Sequence, residues 1–309
     1  MGKTVGYNLS LAGVQGEYFL AREEGYADSW LPLLANEFSS DQPSETYPWL
    51  GQNPKMAPWT GPRSATEPRD DVVQIWNKDY EVGLVFKLRD WQRDKTGQMR
   101  MVGAQLADET IEKPMGLISE LILANGTCYD GGAMFATHTV GGQTIDNDLA
   151  TGDGLAGAAA PTVAQQSSNI LIATQKMLSW KGDQGQPLNR RAKQFLVMVP
   201  TNMLGATIGA LKDQLPGGAS NTMVGFQEAG FSYRVVANPD LDGVTNTFYL
   251  VRLDGRVKPF IYQEEIVNMN MLGEGSEWTH MNNKVRFDAD MSCGAGYGRF
   301  EFIARCVCS

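Results

Sequence analysis

Histidine is nearly missing from this chain: 309 residues hold two, His138 and His280. Neither sits in an H-E-x-x-H pattern, so no multi-histidine metal site is written here. Cysteine is scarce as well. The four thiols, Cys128, Cys293, Cys306 and Cys308, match no zinc spacing, and Cys306-x-Cys308 is one residue short of a redox C-x-x-C pair. On a strand, Cys306 and Cys308 point to one face, which predicts small buried hydrophobes in a reduced protein made in the cytosol. No apolar run approaches the roughly 18–20 residues that span a bilayer. The N-terminus, MGKTVGYNLS, lacks the apolar core of a signal peptide, and Gly6 stands where myristoylation needs Ser or Thr.

Positive charge is in short supply. A net charge of −9 and a pI near 4.9 argue against a protein whose main task is gripping nucleic acid. The imbalance is local: residues 1–48 carry seven acids and two bases, whereas residues 54–100 carry nine bases and seven acids. A solvated surface explains this most simply, with contact between copies as the alternative.

Catalytic signatures are missing too. There is no G-x-S-x-G nucleophile elbow, and Gly2-Lys3-Thr4 lacks the upstream glycine of a Walker motif. Residues 152–157, GDGLAG, spell G-x-G-x-x-G, but DNDLAT before it and AAAPT after it are not the strand and helix of a dinucleotide site. Asp146, Asp148 and Asp153 lack the twelve-residue loop and terminal glutamate of a calcium site, and read as a solvated turn. No catalytic, cofactor-binding or metal-binding residue is expected.

What the chain does hold is an aromatic, proline-stiffened segment. Residues 44–63, SETYPWLGQNPKMAPWTGPR, contain Trp49, Trp59 and four prolines. Each proline fixes its own φ and removes a backbone donor, so the segment is neither a helix nor a central strand. An extended arm with aromatic anchors lies on something, and docking on a neighbouring subunit is the favoured reading. The contact candidates are Trp49, Lys55, Trp59, Arg63, Arg69 and Trp76.

Runs at 72–77 and 80–88, separated by Lys78 and Asp79, predict a hairpin. Val102, Leu106, Thr110, Met115, Ile118 and Ile122 predict a long helix over 98–124, with Pro114 inside it and Asn125-Gly126 as its stop. Residues 131–160 read as loop with little core material. Helices follow at 162–180 and 202–213, around a wholly apolar strand at 195–199 that should be buried on both faces. Strands are expected near 231–237, 247–253 and 257–263, the last demoted to an edge by Pro259. Strict alternation marks Val285 to Met291 and, beyond a glycine turn at 294–298, Phe300 to Cys306.

In this order the elements resemble the major capsid proteins of tailed phages, and more closely the Mu-like major head subunit family. The resemblance is carried by Ser44-Glu45-Thr46-Tyr47, Trp49-Leu50-Gly51, Pro54, Met56, Trp59, Gly61 and Arg63. It continues through Asn77-Lys78-Asp79-Tyr80, the Cys128-Tyr129-Asp130-Gly131 turn, Phe135 and His138. Val199-Pro200, Lys258-Pro259-Phe260-Ile261-Tyr262-Gln263 and Gly296-Tyr297-Gly298 complete it, across roughly residues 20–309.

The resemblance implies an α+β, Hong Kong 97-type major capsid fold. An N-terminal arm (1–50) would lead into an extended loop (51–90) with a β-hairpin. A peripheral domain (91–127 and 271–309) would include the spine helix 98–124, and 128–270 would form an α/β axial domain. Its tip loop would lie in the glycine-rich 214–225 segment, with Leu215, Pro216, Gly217 and Gly218 at the tip. The implied partners are further copies of the chain in hexamers and pentamers, with scaffold, portal and possibly decoration proteins. Double-stranded DNA would be enclosed without sequence-specific binding, in a virion capsid assembled in the host bacterial cytoplasm. The resemblance implies no cofactor and no membrane. No lysine–asparagine crosslinking pair is identifiable, and the chain starts almost directly at the arm. An encapsulin-like shell shares the fold. A soluble α/β hydrolase using His138 or His280 with a serine, and a small-molecule binding protein, are alternatives of another kind.

Overall fold

The computed structural model describes residues 2–48, 59, 61, 72–93, 100–157, 161–212 and 221–308. In chain order it runs α1 (Gly2–Asp28), α2 (Leu31–Leu34), β1 (Ala35–Ser39), β2 (Ser44–Tyr47), β3 (Val73–Trp76), β4 (Lys78–Lys87), α3 (Leu88–Arg93) and α4 (Arg100–Ala124). The middle holds β5 (Thr137–Val140), β6 (Gln143–Asp146), β7 (Asp148–Leu149), α5 (Val163–Ser179), β8 (Gln194–Val199), α6 (Leu204–Ala210), α7 (Thr222–Glu228), β9 (Ser232–Ala237) and β10 (Thr247–Arg252). The chain ends with β11 (Phe260–Leu272), α8 (Glu277–Asn282), β12 (Lys284–Tyr297) and β13 (Ile303–Val307).

The helix expected over 98–124 is α4. Val102, Leu106, Ile118 and Ile122 are buried at helical spacing, and Asn125 closes the helix in the left-handed region at φ 46°. Helix α1 was not foreseen within the leading arm. Phe19 and Leu20 on it are exposed while Val14 and Tyr18 are buried, so its apolar stripe is too thin to announce a helix. The buried pair lies on α4, and Gly103 makes the approach possible: a Cβ there would stand 2.5 Å from the Val14 carbonyl oxygen.

A four-stranded sheet, ordered β1-β11-β12-β4, receives these two helices. Its β12 strand alternates as the sequence predicts. Val285, Phe287 and Ala289 face inward with Met269, against Val14, Tyr18, Trp91, Val102, Leu106 and Ala107. Phe287 meets Trp91 and Phe86 with ring centroids 5.1 and 6.2 Å apart.

A five-stranded sheet, β7-β13-β10-β8-β9, forms the second body. Phe195 to Val199 on β8 are wholly buried, as expected for a strand covered on both faces. Helix α5 starts in a capping box in which the Thr162 hydroxyl accepts from the Gln165 backbone and the Gln165 side chain accepts from the Thr162 N–H.

Five expectations are corrected by this arrangement. The runs at 72–77 and 80–88 are not a hairpin: β3 pairs with β2, and β4 pairs with β12, the chain changing sheets at Asn77. Pro259 does not make an edge, because it precedes β11, which lies between β1 and β12. Residues 294–297 are strand rather than turn; the reversal falls at 298–302, and β13 joins the other sheet. Residues 131–160 contribute Met134, Phe135, Ile145, Leu149 and Leu155 to the core. Finally, 222–225 of the glycine-rich 214–225 segment belong to α7.

Candidate functional site

Among the described residues, the features that bear on function are a ribbon and the joints that hold it. Strands β2 and β3 form a two-stranded antiparallel ribbon, Ser44 opposite Trp76 and Tyr47 opposite Val73. In sequence, residues 48–72 join these two strands. The ribbon, not the expected 72–88 hairpin, therefore flanks that segment.

The ribbon is pinned by a polar network. Gln263 on β11 is wholly buried; its Nε2 donates to the Ile75 carbonyl at 3.1 Å and to Asn77 Oδ1 at 2.6 Å, and its Oε1 accepts the Tyr47 hydroxyl at 2.9 Å. Asn77 Nδ2 in turn donates to the Gln42 carbonyl at 2.8 Å and to Ser40 Oγ at 3.1 Å. Burial holds the Tyr47 hydroxyl up at about 12, with the Glu45 charge adding to it, so it stays a donor at neutral pH. Gly294 and Gly296 are the other half of the joint. A Cβ at Gly294 would stand 2.6 Å from the Trp76 carbonyl oxygen, and one at Gly296 would stand 2.5 Å from Ile75 Cδ1. These glycines let the ribbon cross β12 at close range.

On this base Ile75 points inward, 4% exposed, and Trp76 outward, 61% exposed. Trp59 is 80% exposed, its indole N–H donating to the Gly61 carbonyl. The other contact candidates, Trp49, Lys55, Arg63 and Arg69, and the tip candidates Leu215, Pro216, Gly217 and Gly218, lie outside the described residues.

A second joint ties the two sheets together. The Cys128-Tyr129-Asp130-Gly131 turn closes through the Gly131 N–H to the Cys128 carbonyl, with Gly131 at φ 82°. Asp130 meets His138 Nδ1 at 2.6 Å, and the His138 ring stacks on Phe300 at 3.6 Å. Tyr129 stacks on Phe300 from elsewhere in the same turn and donates its hydroxyl to Glu301, which forms a buried ion pair with Arg299. Asn147 donates to the carbonyls of Met134, Phe300 and Ile303. The residues between β12 and β13 are thus clamped by the turn after α4. His138 is a packed structural histidine, while His280 is exposed on α8.

Asp146, Asp148 and Asp153 are partnered rather than left to solvent. Asp148 binds Arg305 through two bonds of 2.6 Å, and Asp153 accepts from Lys176 Nζ at 2.8 Å. All four cysteines are buried and free, and burial raises every thiol, Cys293 and Cys308 to about 11. Among the described residues no group of three or more His, Cys, Asp or Glu could hold a metal, and no helix is long and apolar enough to cross a membrane. An open cleft of about 420 Å³ lies between α1, β1 and β11. Its ionic centre is already closed by an Arg22–Glu264 pair at 2.7 Å.

The network residues were missed as functional from spacing alone, because Tyr47, Asn77 and Gln263 are far apart in sequence. They do fall in three of the motif pieces quoted for the family resemblance, and Tyr297 in a fourth donates to the Leu121 carbonyl at 2.9 Å.

Comparison with known proteins agrees. Over 122 residues, 39% of this chain and 40% of the relative, the chain is 30% identical to the Mu-like prophage FluMu major head subunit of Haemophilus influenzae. Over 111 residues it is 28% identical to the major capsid protein of Escherichia phage Mu, covering 35% of this chain and 36% of that one. The matched stretches thus span well under half of either relative. In the procapsid of bacteriophage JBD30, a chain 17% identical superposes with a TM-score of 0.51, covering 97% of this chain and 75% of that one. Likeness at that identity shows the fold, which is the Hong Kong 97 type of phage major capsid proteins. The profile of the family described as Mu-like prophage major head subunit gpT matches residues 12–161 and 225–306, and with most of its length so matched the chain belongs to that family.

Proposed function

We propose that this protein is the major capsid protein of a tailed, double-stranded DNA phage, whose copies assemble as hexamers and pentamers into an icosahedral shell. The observation that carries this reading is the pinned β2–β3 ribbon in a chain of this family and fold. A buried network and two glycines hold the ribbon rigidly to the sheet, while Trp76 on its outward side and Trp59 in the segment joining its strands are exposed. Exposed tryptophans on a rigid base suit docking on a neighbouring subunit, where a buried aromatic anchor contributes on the order of 2 kcal/mol or more. The work is mechanical, and many modest contacts per subunit hold because none can leave until all have broken.

The contact set comprises Trp49, Lys55, Trp59, Arg63, Arg69 and Trp76, and the 215–218 segment forms the axial tip. The proposed domains are an N-terminal arm (1–50), an extended loop (51–90), a peripheral domain (91–127 and 271–309) that includes α4, and an axial domain (128–270). Scaffold, portal and decoration proteins are the further partners, with assembly in the host bacterial cytoplasm. The acidic balance suits a shell that holds DNA without sticking to it.

Light scattering and negative-stain microscopy of the purified native protein test this. Shells of uniform diameter or capsomers are expected, and nucleic acid inside native particles separates a phage head from a compartment for protein cargo. A monomer of about 34 kDa that stays monomeric at high concentration and with candidate scaffold added would overturn it.

A further inference from the structure

The outward face of the four-stranded sheet carries two like-charge pairs at opposite ends. Register places Glu81 on β4 directly opposite Asp290 on β12, and Lys87 directly opposite Lys284. Like charges facing across a strand pair destabilise it. All four positions share one face, because they keep the parity of Asp79, Gly83 and Val85 on β4 and of Arg286 and Asp288 on β12. Asp79, Glu81, Lys87 and Lys284 are exposed; between the charged ends Val85 is 48% exposed and Arg286 pairs with Asp288 at 2.6 Å, while Ile266 stands opposite Ser292, beyond the acidic pair. Helices α1 and α4 cover the opposite face. Among the described residues, the β2–β3 ribbon crosses the outward face at Gly294 and Gly296, beyond the acidic end.

Six residues of strand, about 20 Å, separate the acidic pair from the basic pair. A face that is negative at one end and positive at the other, with Val85 and the Arg286–Asp288 ion pair between, is its own complement under a two-fold rotation. We propose that it is a two-fold contact between copies of this chain, the Lys87–Lys284 end of one seated on the Glu81–Asp290 end of the other. Each copy then relieves both repulsive pairs of its partner, and Val85 lies near the axis. This rests on the self-assembly reading above and names one of its interfaces. The charge pattern sets orientation and rejects wrong registers, where like charges meet.

Charge reversal tests it on the full chain. Lys87→Glu with Lys284→Glu makes both ends acidic, and Asp79→Lys with Glu81→Lys makes both ends basic. Each double variant should assemble at least about tenfold less efficiently than wild type by sedimentation, since like ends now meet. All four changes in one chain restore complementarity and should restore assembly, as should mixing the two double variants. In wild-type-like particles, Val85→Cys should form dimers with a short bismaleimide. If wild type assembles but both double variants do so equally well, or the cysteine gives no dimer, this contact is wrong and the capsid reading stands. If wild type itself forms no assembly, both fall.

Discussion

Single side chains in this protein are mostly structural, and their chemistry predicts how they fail. Asp153 is held below its ordinary value of 3.8 chiefly by the hydrogen bond from Lys176, with the Ala150 N–H adding to it. A depressed carboxyl contributes stability above its unfolded pKa and loses that contribution as pH falls through the folded value. Lys176→Met should therefore melt below wild type at pH 7, and the gap should close as pH drops below 4. A gap unchanged at pH 3 would mean that the lysine acts by packing. Gln263 makes a sharper case, since three groups depend on it. Gln263→Leu removes the hydrogen bonds to the Ile75 carbonyl, Asn77 Oδ1 and the Tyr47 hydroxyl, and should cost about 1–3 kcal/mol in denaturant unfolding. At this scale the sequence was only partly legible. The buried thiols and the bland role of GDGLAG could be read from neighbours, but the Gln263 network could not, because its members are brought together by three different strands.

Elements were legible where their pattern is internal. Helix α4, helix α5 with its Thr162 box, and the alternation of β12 need only local spacing to be recognised. Phe287→Ala should destabilise the chain by about 3–5 kcal/mol, as it empties the space between Trp91 and Phe86. Helix α1 was illegible because its support comes from α4 rather than from its own stripe. Gly103→Val tests that support by driving a side chain into the Val14 carbonyl. It should detach α1 and expose Tyr18, giving faster proteolysis near residue 14 while β8 amides stay protected. Glycines misled in the same way. At 294 and 296 they read as a turn, yet they are strand residues that make room for the ribbon.

For the whole molecule, the test of the ribbon is assembly without unfolding. Trp59 and Trp76 are largely exposed in the subunit, so Trp59→Ala and Trp76→Ala should leave its melting temperature within about 1 °C of wild type. Both should reduce particle yield. A subunit that unfolds on losing Trp59 would place that ring in a core instead. The same scale governs charge: the isolated subunit should bind short DNA weakly at physiological salt, given its net charge of −9.

Helices α4 and α5, the two-sided burial of β8 and the family resemblance were determined by the sequence alone, because propensity, periodicity and motif order are properties of a string. Which strands pair was decided only by tertiary structure. The reason is physical: a strand's alternation says which residues are buried but not which backbone completes its hydrogen bonds. So Val73–Trp76 and Lys78–Lys87, adjacent in sequence, part at Asn77 for different sheets, and β13 leaves β12 to join β10. The bipolar face arises the same way, since Glu81 and Asp290, or Lys87 and Lys284, become neighbours only once the register of β4 on β12 is set.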